Sequence, residues 1–310
     1  SLIGAAAGDL LGSNGVQNLF NGKALVFSPA WNGGMGAVTW FDTVNGTTGP
    51  VGAGNSLVGS TTGDAVGSSL RTNAGNMIGI RSPNWDNGTI TAAGAITWAD
   101  PISGITGPVT AANSLVGGTA SDRVGSGAAD YMTSSLSAVR TYTWGGNAGA
   151  VTWINNAAPT TGVVSAANSL VGSTAGDQIG SGGFSYGSGY LVLRSTSWSG
   201  NRGAATWIDT AAPLTGVLSS ANSLVGANVN DYVGNSGISF MSNGDYYLRS
   251  TSFAGNAGAV SIGVSTGGIS GVVSAANSLV GQNANDGYGS TVQELTGSRL
   301  LVRASSADSA

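Results

Sequence analysis

Ser169-Leu170-Val171-Gly172-Ser173-Thr174-Ala175-Gly176-Asp177-Gln178-Ile179-Gly180 decides the reading of this chain, because its pattern occurs six times. Each copy reads Ser-Leu-Ile/Val-Gly, a short polar stretch, Asp, one residue, an apolar residue and Gly. The Asp residues are Asp9, Asp64, Asp122, Asp177, Asp231 and Asp286, spaced 54 to 58 residues apart. A fixed period of this size marks one supersecondary unit stacked on copies of itself, so fold and function belong to the array rather than to one site. The units run 1–55, 56–113, 114–168, 169–222 and 223–277, with a partial sixth at 278–310, all in a single repeat domain spanning 1–310.

Composition sets the class. With 41% apolar residues in 310, the chain can bury a core. Charged residues are only 8%, glycines number 53, and Lys23 and Glu294 are the only Lys and Glu, a composition of short strands and tight turns rather than helices. The formal charge of −4, with no basic cluster, argues against a nucleic acid or an anionic membrane surface as partner. No apolar run approaches the 18 or so residues of a membrane-spanning helix. Ser1 falls inside a repeat, so the true N-terminus is expected to lie upstream.

Within the fourth unit, Asp177 is followed by a Gly-rich turn, the apolar run Tyr190-Leu191-Val192-Leu193-Arg194, Trp198 in a turn, and Gly203-Ala204-Ala205-Thr206-Trp207. Thr215-Gly216-Val217-Leu218 then closes the unit as an expected fourth strand. Four short strands in about 55 residues is the pattern of a β-propeller blade. The fold class is all-β, a propeller of about six four-stranded blades, five complete and one partial. A five-bladed ring with an extra hairpin or an open β array are the alternatives, and a solenoid is disfavoured by the long period.

The run Gly176-Asp177-Gln178-Ile179-Gly180-Ser181, the strand ending Arg194-Ser195, and the Gly203–Trp207 strand resemble the FG-GAP repeat of integrin α-chain propellers and their bacterial relatives. The second copy is closer, with Val66-Gly67-Ser68 in the Phe-Gly place and Arg81-Ser82-Pro83 in the Gly-Ala-Pro place. The wording Val-Ser-Ala-Ala-Asn-Ser-Leu-Val-Gly at 164–172 and 273–281 is also similar to repeat tracts of large bacterial filamentous-haemagglutinin-type adhesins. The Ser185–Gly189 turn carries no Asp-x-Asp-x-Asp-Gly, so calcium sites of the integrin kind are not expected, nor any other metal or cofactor.

If the family strand order applies, each Asp starts an antiparallel hairpin whose second strand ends in Arg. An Asp-Arg pair is then expected at Asp64 and Arg81, Asp122 and Arg140, Asp177 and Arg194, Asp231 and Arg249, and Asp286 and Arg303, as a structural device, with turn amides as further donors to the carboxylates. The first copy has Phe27 in place of the Arg. Trp40, Trp98, Trp153 and Trp207 end the third strands, with Ile262 in the fifth, and read as core. Trp31, Trp85, Trp144, Trp198 and Phe253 lie in or near the loop before the third strand, which the resemblance places on the ligand-binding face. They are the ligand-binding candidates, either as stacking surfaces for sugar rings or as wedges between blades.

With no His and no Cys, the chain lacks a Ser-His-Asp triad, a thiol nucleophile and a His-based metal site, and its acidic residues mostly sit at repeat-equivalent positions, unlike an acid/base pair. The expectation is a non-enzymatic module, secreted or on a bacterial cell surface, that recognises a glycan or protein partner through one loop face in adhesion. The alternative is a purely structural spacer or self-assembling repeat of a large exported protein, with self-association through the incomplete terminal blade.

Overall fold

The computed structural model describes residues 1–19, 22–74, 77–127 and 129–306, with 70–74 described by backbone alone. The regular structure is almost wholly short strands joined by turns, and the helical stretches among the described residues are four-residue turns at Trp31–Gly34, Trp144–Asn147, Trp198–Asn201 and Phe253–Asn256. It divides into two compact units, Ser1–Gly146 with Ala150–Ser169, and Asn147–Gly149 with Leu170–Ala310.

In the first unit, Val16–Asn18, Lys23–Ser28 and Ala37–Asp42 form an antiparallel meander, and Ser56–Val58 pairs antiparallel with Ala37–Asp42. The second repeat builds the same sheet from Ser69–Ala74, Met77–Ser82, Ala95–Ala99 and Ser114–Val116. The third repeat supplies Ala129–Tyr131, Leu136–Thr141 and Ala150–Asn155. In the second unit, Gly183–Tyr186, Tyr190–Ser195, Ala204–Asp209 and Leu224–Val225 form one sheet, and Ile238–Phe240, Tyr246–Ser250, Ala259–Gly263 and Ser278–Val280 another. Tyr288–Leu295 pairs with Arg299–Ala304 in a final hairpin. The fold is a propeller-like array of small four- to five-stranded sheets in five repeats.

The fourth strand of each sheet is not the Thr-Gly-Val-Leu segment expected to close the unit. It is the Ser-Leu-Val that opens the next copy of the pattern. Gly216–Val217 instead crosses to the preceding sheet and pairs parallel with Leu170–Val171. The same strap occurs at Gly49–Pro50 on Leu2–Ile3, Gly107–Pro108 on Ser56–Val58, Gly162–Val163 on Ser114–Val116, and Gly271–Val272 on Leu224–Val225. One hydrogen bond recurs at each strap: Val51, Val109, Val164, Leu218 and Val273 donate N–H to the carbonyls of Ile3, Val58, Val116, Val171 and Val225, at 2.9 to 3.0 Å. The strap thus covers a sheet edge that would otherwise leave unpaired amides and carbonyls.

The glycine that opens each third strand is set by a close crossing. Gly36 has φ +81, and a Cβ there would lie 2.2 Å from the Val66 nitrogen, where the two segments form a parallel bridge. Gly94 meets Val124, and Gly203 meets Val233, at 2.3 Å in the same way. The pattern's apolar residue after Asp is therefore fully buried at Val66, Val124, Ile179 and Val233.

Candidate functional site

The recurrent Asp residues occupy the corners between copies and are buried, from 0% exposure at Asp64 and Asp122 to 9% at Asp286. In the second corner Oδ2 of Asp64 accepts the amides of Ser60 (2.7 Å) and Thr61 (2.9 Å), while Oδ1 accepts the Asp86 amide (2.9 Å) and the Thr61 hydroxyl (2.8 Å). Asp122 repeats this with the amides of Gly118 and Thr119 (both 2.8 Å) and Gly145 (2.9 Å). Asp177 takes Ser173, Thr174 and Ser199; Asp9 takes Ala5, Ala6 and Asn32; Asp231 takes Asn228 and Ala254; Asp286 takes Gln282 and Asn283. Burying a carboxylate is unfavourable unless its lone pairs are filled by donors, and amides fill them here.

At Asp9, Asp64, Asp122, Asp177 and Asp231 these bonds staple two loops. One is the corner itself; the other is the turn after the second strand, whose leading residues are left-handed: Asn32 at φ 51, Ser199 at φ 50 and Ala254 at φ 50. A left-handed non-glycine residue costs roughly 1–2 kcal/mol, which the charge-assisted bond to its amide offsets. The Ala6 amide first, then those of Asn32 and Ala5, hold the Asp9 carboxyl below the usual carboxylate range, against the opposing effect of burial.

The expected Asp-Arg pairs are not formed as read from the sequence. Amides occupy the carboxylates of Asp64, Asp122, Asp177, Asp231 and Asp286, and the arginines point elsewhere. Arg81 donates to the carbonyls of Gly125 (2.8 Å) and Ser126 (2.9 Å), Arg194 to Gly234 (3.3 Å), and Arg249 to Gly289 and Ser290 (both 3.4 Å). Gly125, Gly234 and Gly289 each close the pattern of the following copy, so the guanidinium ties one hairpin to the next corner. Register explains the difference: Arg194 lies opposite Gly183, six residues beyond Asp177. Arg140 instead forms a two-pronged ion pair with Asp130 (2.7 and 3.0 Å). Arg303 lies opposite Thr291, likewise past Asp286.

The loop aromatics are wedges and not open stacking surfaces. Trp31, Trp85 and Phe253 are buried, and Trp144 and Trp198 half-buried. Trp31 packs with Val51, Trp85 with Val109 and Phe253 with Val273, the residues just past each strap. Trp144 Nε1 donates to the carbonyl of the equivalent Val164 (3.3 Å). Of the third-strand tryptophans, Trp98 Nε1 donates to Thr160 (3.0 Å), and Trp40 and Trp207 press on Gly104 and Gly268, where a Cβ would come within 2.6 and 2.2 Å of them. Trp153 is buried, while Ile262 in the fifth copy is 47% exposed.

One constellation went unread in the sequence. Asn55 donates to the Pro50 carbonyl (2.9 Å), and its Oδ1 accepts from the Gly52 amide and the Ser56 hydroxyl (both 3.0 Å). Ser56 in turn shares a buried 2.7 Å hydrogen bond with Thr39 on the third strand. The same 2.7 Å pair recurs at Thr97 and Ser114, Thr152 and Ser169, Thr206 and Ser223, and Ser261 and Ser278. The signal was present as an invariant spacing of 17 residues between a hydroxyl and the Ser of Asn-Ser-Leu-Val.

Exposed aromatics are found on the first strands instead: Tyr131 at 57%, Tyr186 at 50% and Phe240 at 38%. Among the described residues, no helix is long and apolar enough to cross a membrane.

A family model described as a repeat of unknown function (DUF5650) matches residues 18–68, 72–126, 138–181, 186–235 and 240–290. The chain belongs to the DUF5650 repeat family. Each matched segment of the DUF5650 array holds one third strand and the Ser-Leu-Val strand that follows it. No curated protein matches. Among solved structures, the array is similar to a eukaryotic initiation factor (13% identity, TM-score 0.37, 79% of this chain and 50% of that one). It is also similar to Kuenenia stuttgartiensis hydrazine synthase (11%, TM-score 0.30, 92% and 71%) and to a prolyl endopeptidase (14%, TM-score 0.33, 92% and 38%). The chain thus spans about half the length of the initiation-factor chain, and at these TM-scores no property of those proteins carries over.

Proposed function

We propose that the DUF5650 array is a non-enzymatic structural module of a secreted or surface-displayed protein, a spacer whose repeats clamp one another. The observation that carries this reading is the strap, made five times with one hydrogen-bond register. The recurrent Asp, Arg, Trp, Asn and Ser side chains supply the surrounding joints, so the repeat pattern is accounted for by contacts within and between copies. The hairpin that follows each Asp supports kinship in plan with FG-GAP blades, and the likeness to haemagglutinin-type adhesin tracts supports an exported setting.

A second reading, recognition of a glycan or protein partner in adhesion, draws on Tyr131, Tyr186 and Phe240, which present rings to solvent in successive copies. A glycan array and a panel of cell-surface proteins, probed with the chain and with a Tyr131→Ser/Tyr186→Ser/Phe240→Ser variant, separate the two. The spacer reading expects no specific binding by either protein. Specific binding by the native chain, lost in a variant that melts at the same temperature, overturns it in favour of recognition.

A further inference from the structure

Asn-Ser-Leu-Val occurs at 55–58, 113–116, 168–171, 222–225 and 277–280. In the first four, the Leu is fully buried: Leu57, Leu115, Leu170 and Leu224 are each 0% exposed, beneath a strap on the strand's outer side. In the fifth, the sheet ends on Ser278–Val280 and Leu279 is 48% exposed. Beside it runs a cleft of about 430 Å³ lined by Val260, Ile262, Asn277, Leu279, Leu300 and Val302. Ile262 is 47% exposed here, where the equivalent Trp98 is 5% exposed.

We propose that the Ser278–Val280 edge and this cleft form a β-augmentation site for an extended segment of strap chemistry, a small residue followed by Gly, Val or Pro, and Val, as carried by a further DUF5650 repeat. The inference rests on the reading of the array as an interlocking module. The pairing is parallel. In the seated straps Leu57 faces Gly107, Leu115 faces Gly162, and Leu224 faces Gly271, so Leu279 aligns with the incoming Gly. The residue two positions after that Gly then donates its N–H to the Val280 carbonyl, as Val273 donates to Val225 (2.9 Å). Main-chain bonds supply affinity in such additions, and the buried alternate side chains supply selectivity. Gly is favoured opposite Leu279 because the seated strap glycines have φ between 90 and 106.

The test uses the full chain, isotopically labelled, titrated with a synthetic peptide of the sequence of residues 264–277 and followed by amide chemical shifts. Saturable shifts are expected at Asn277, Ser278, Leu279 and Val280. Affinity should fall at least tenfold for a peptide N-methylated at the valine matching Val273, and likewise for the Leu279→Lys chain, whose exposed position leaves folding intact. No saturable shifts, or equal binding by the N-methylated or a scrambled peptide, overturns the proposal. Either result leaves the spacer reading to the glycan and protein screen, so the two can fail separately.

Discussion

A carboxylate shut away from water is stable only if donors surround it, and Asp9, Asp64, Asp122, Asp177 and Asp231 meet that condition with amides from two loops at once. Asp122→Ala removes the acceptor for Gly118, Thr119 and Gly145 together. With hydrogen bonds to charged groups contributing about 1.5–3 kcal/mol each, a loss of at least about 3 kcal/mol is expected in urea unfolding. Acid should act in one direction. Asp9, Asp42, Asp100, Asp245 and Glu294 are all held below their usual values, Asp9 chiefly by the Ala6 amide and Asp42 chiefly by the Asn45 amide. A depressed folded-state pKa contributes stability that is fully present above the ordinary carboxylate range and lost as pH falls through the folded values. Urea midpoints should therefore be flat above about pH 5 and fall below about pH 4, with a shallower fall in Asp9→Asn. Gly36→Ala should cost at least about 2 kcal/mol in the same assay, because a Cβ at φ +81 would press on the Val66 backbone.

The element that holds neighbouring copies together is two residues long, and for that reason it was the least legible. Gly216–Val217 reads as a short extended segment, and local sequence does not say which sheet receives it. The hairpin is different: Asp, glycine turn, apolar run and Arg are local signals, and Gly183–Tyr186 and Tyr190–Ser195 form where they place it. The Arg at the end of that hairpin was found, but its partner was not, since spacing along the chain reveals neither the amides already filling Asp177 nor the carbonyl of Gly234 in the next copy. The choice between stacking surface and wedge for the loop tryptophans stayed open in the sequence for a similar reason, because the valine clustered with Trp85 lies just past the strap, 24 residues later. The Asn beside each strap offers a test. Asn113→Ala strips the acceptor from Thr110 N–H and Ser114 Oγ and the donor from the Pro108 carbonyl. A loss of about 2 kcal/mol is expected from urea unfolding, with Asn113→Asp retaining part of it through its acceptor oxygen.

Across the whole molecule, the straps make stability a property of neighbouring copies, as in other repeat arrays. A period of 54 to 58 residues announced the array, and the small sheets follow it. Each copy sends a strand to the sheet before it, and native-state hydrogen exchange of the strap amides is the measurement that checks it. The N–H groups of Val51, Val109, Val164, Leu218 and Val273 should exchange as slowly as those inside the third strands, since each donates to a carbonyl of the preceding sheet. Exchange of these five amides at the rates of open loop residues would contradict it.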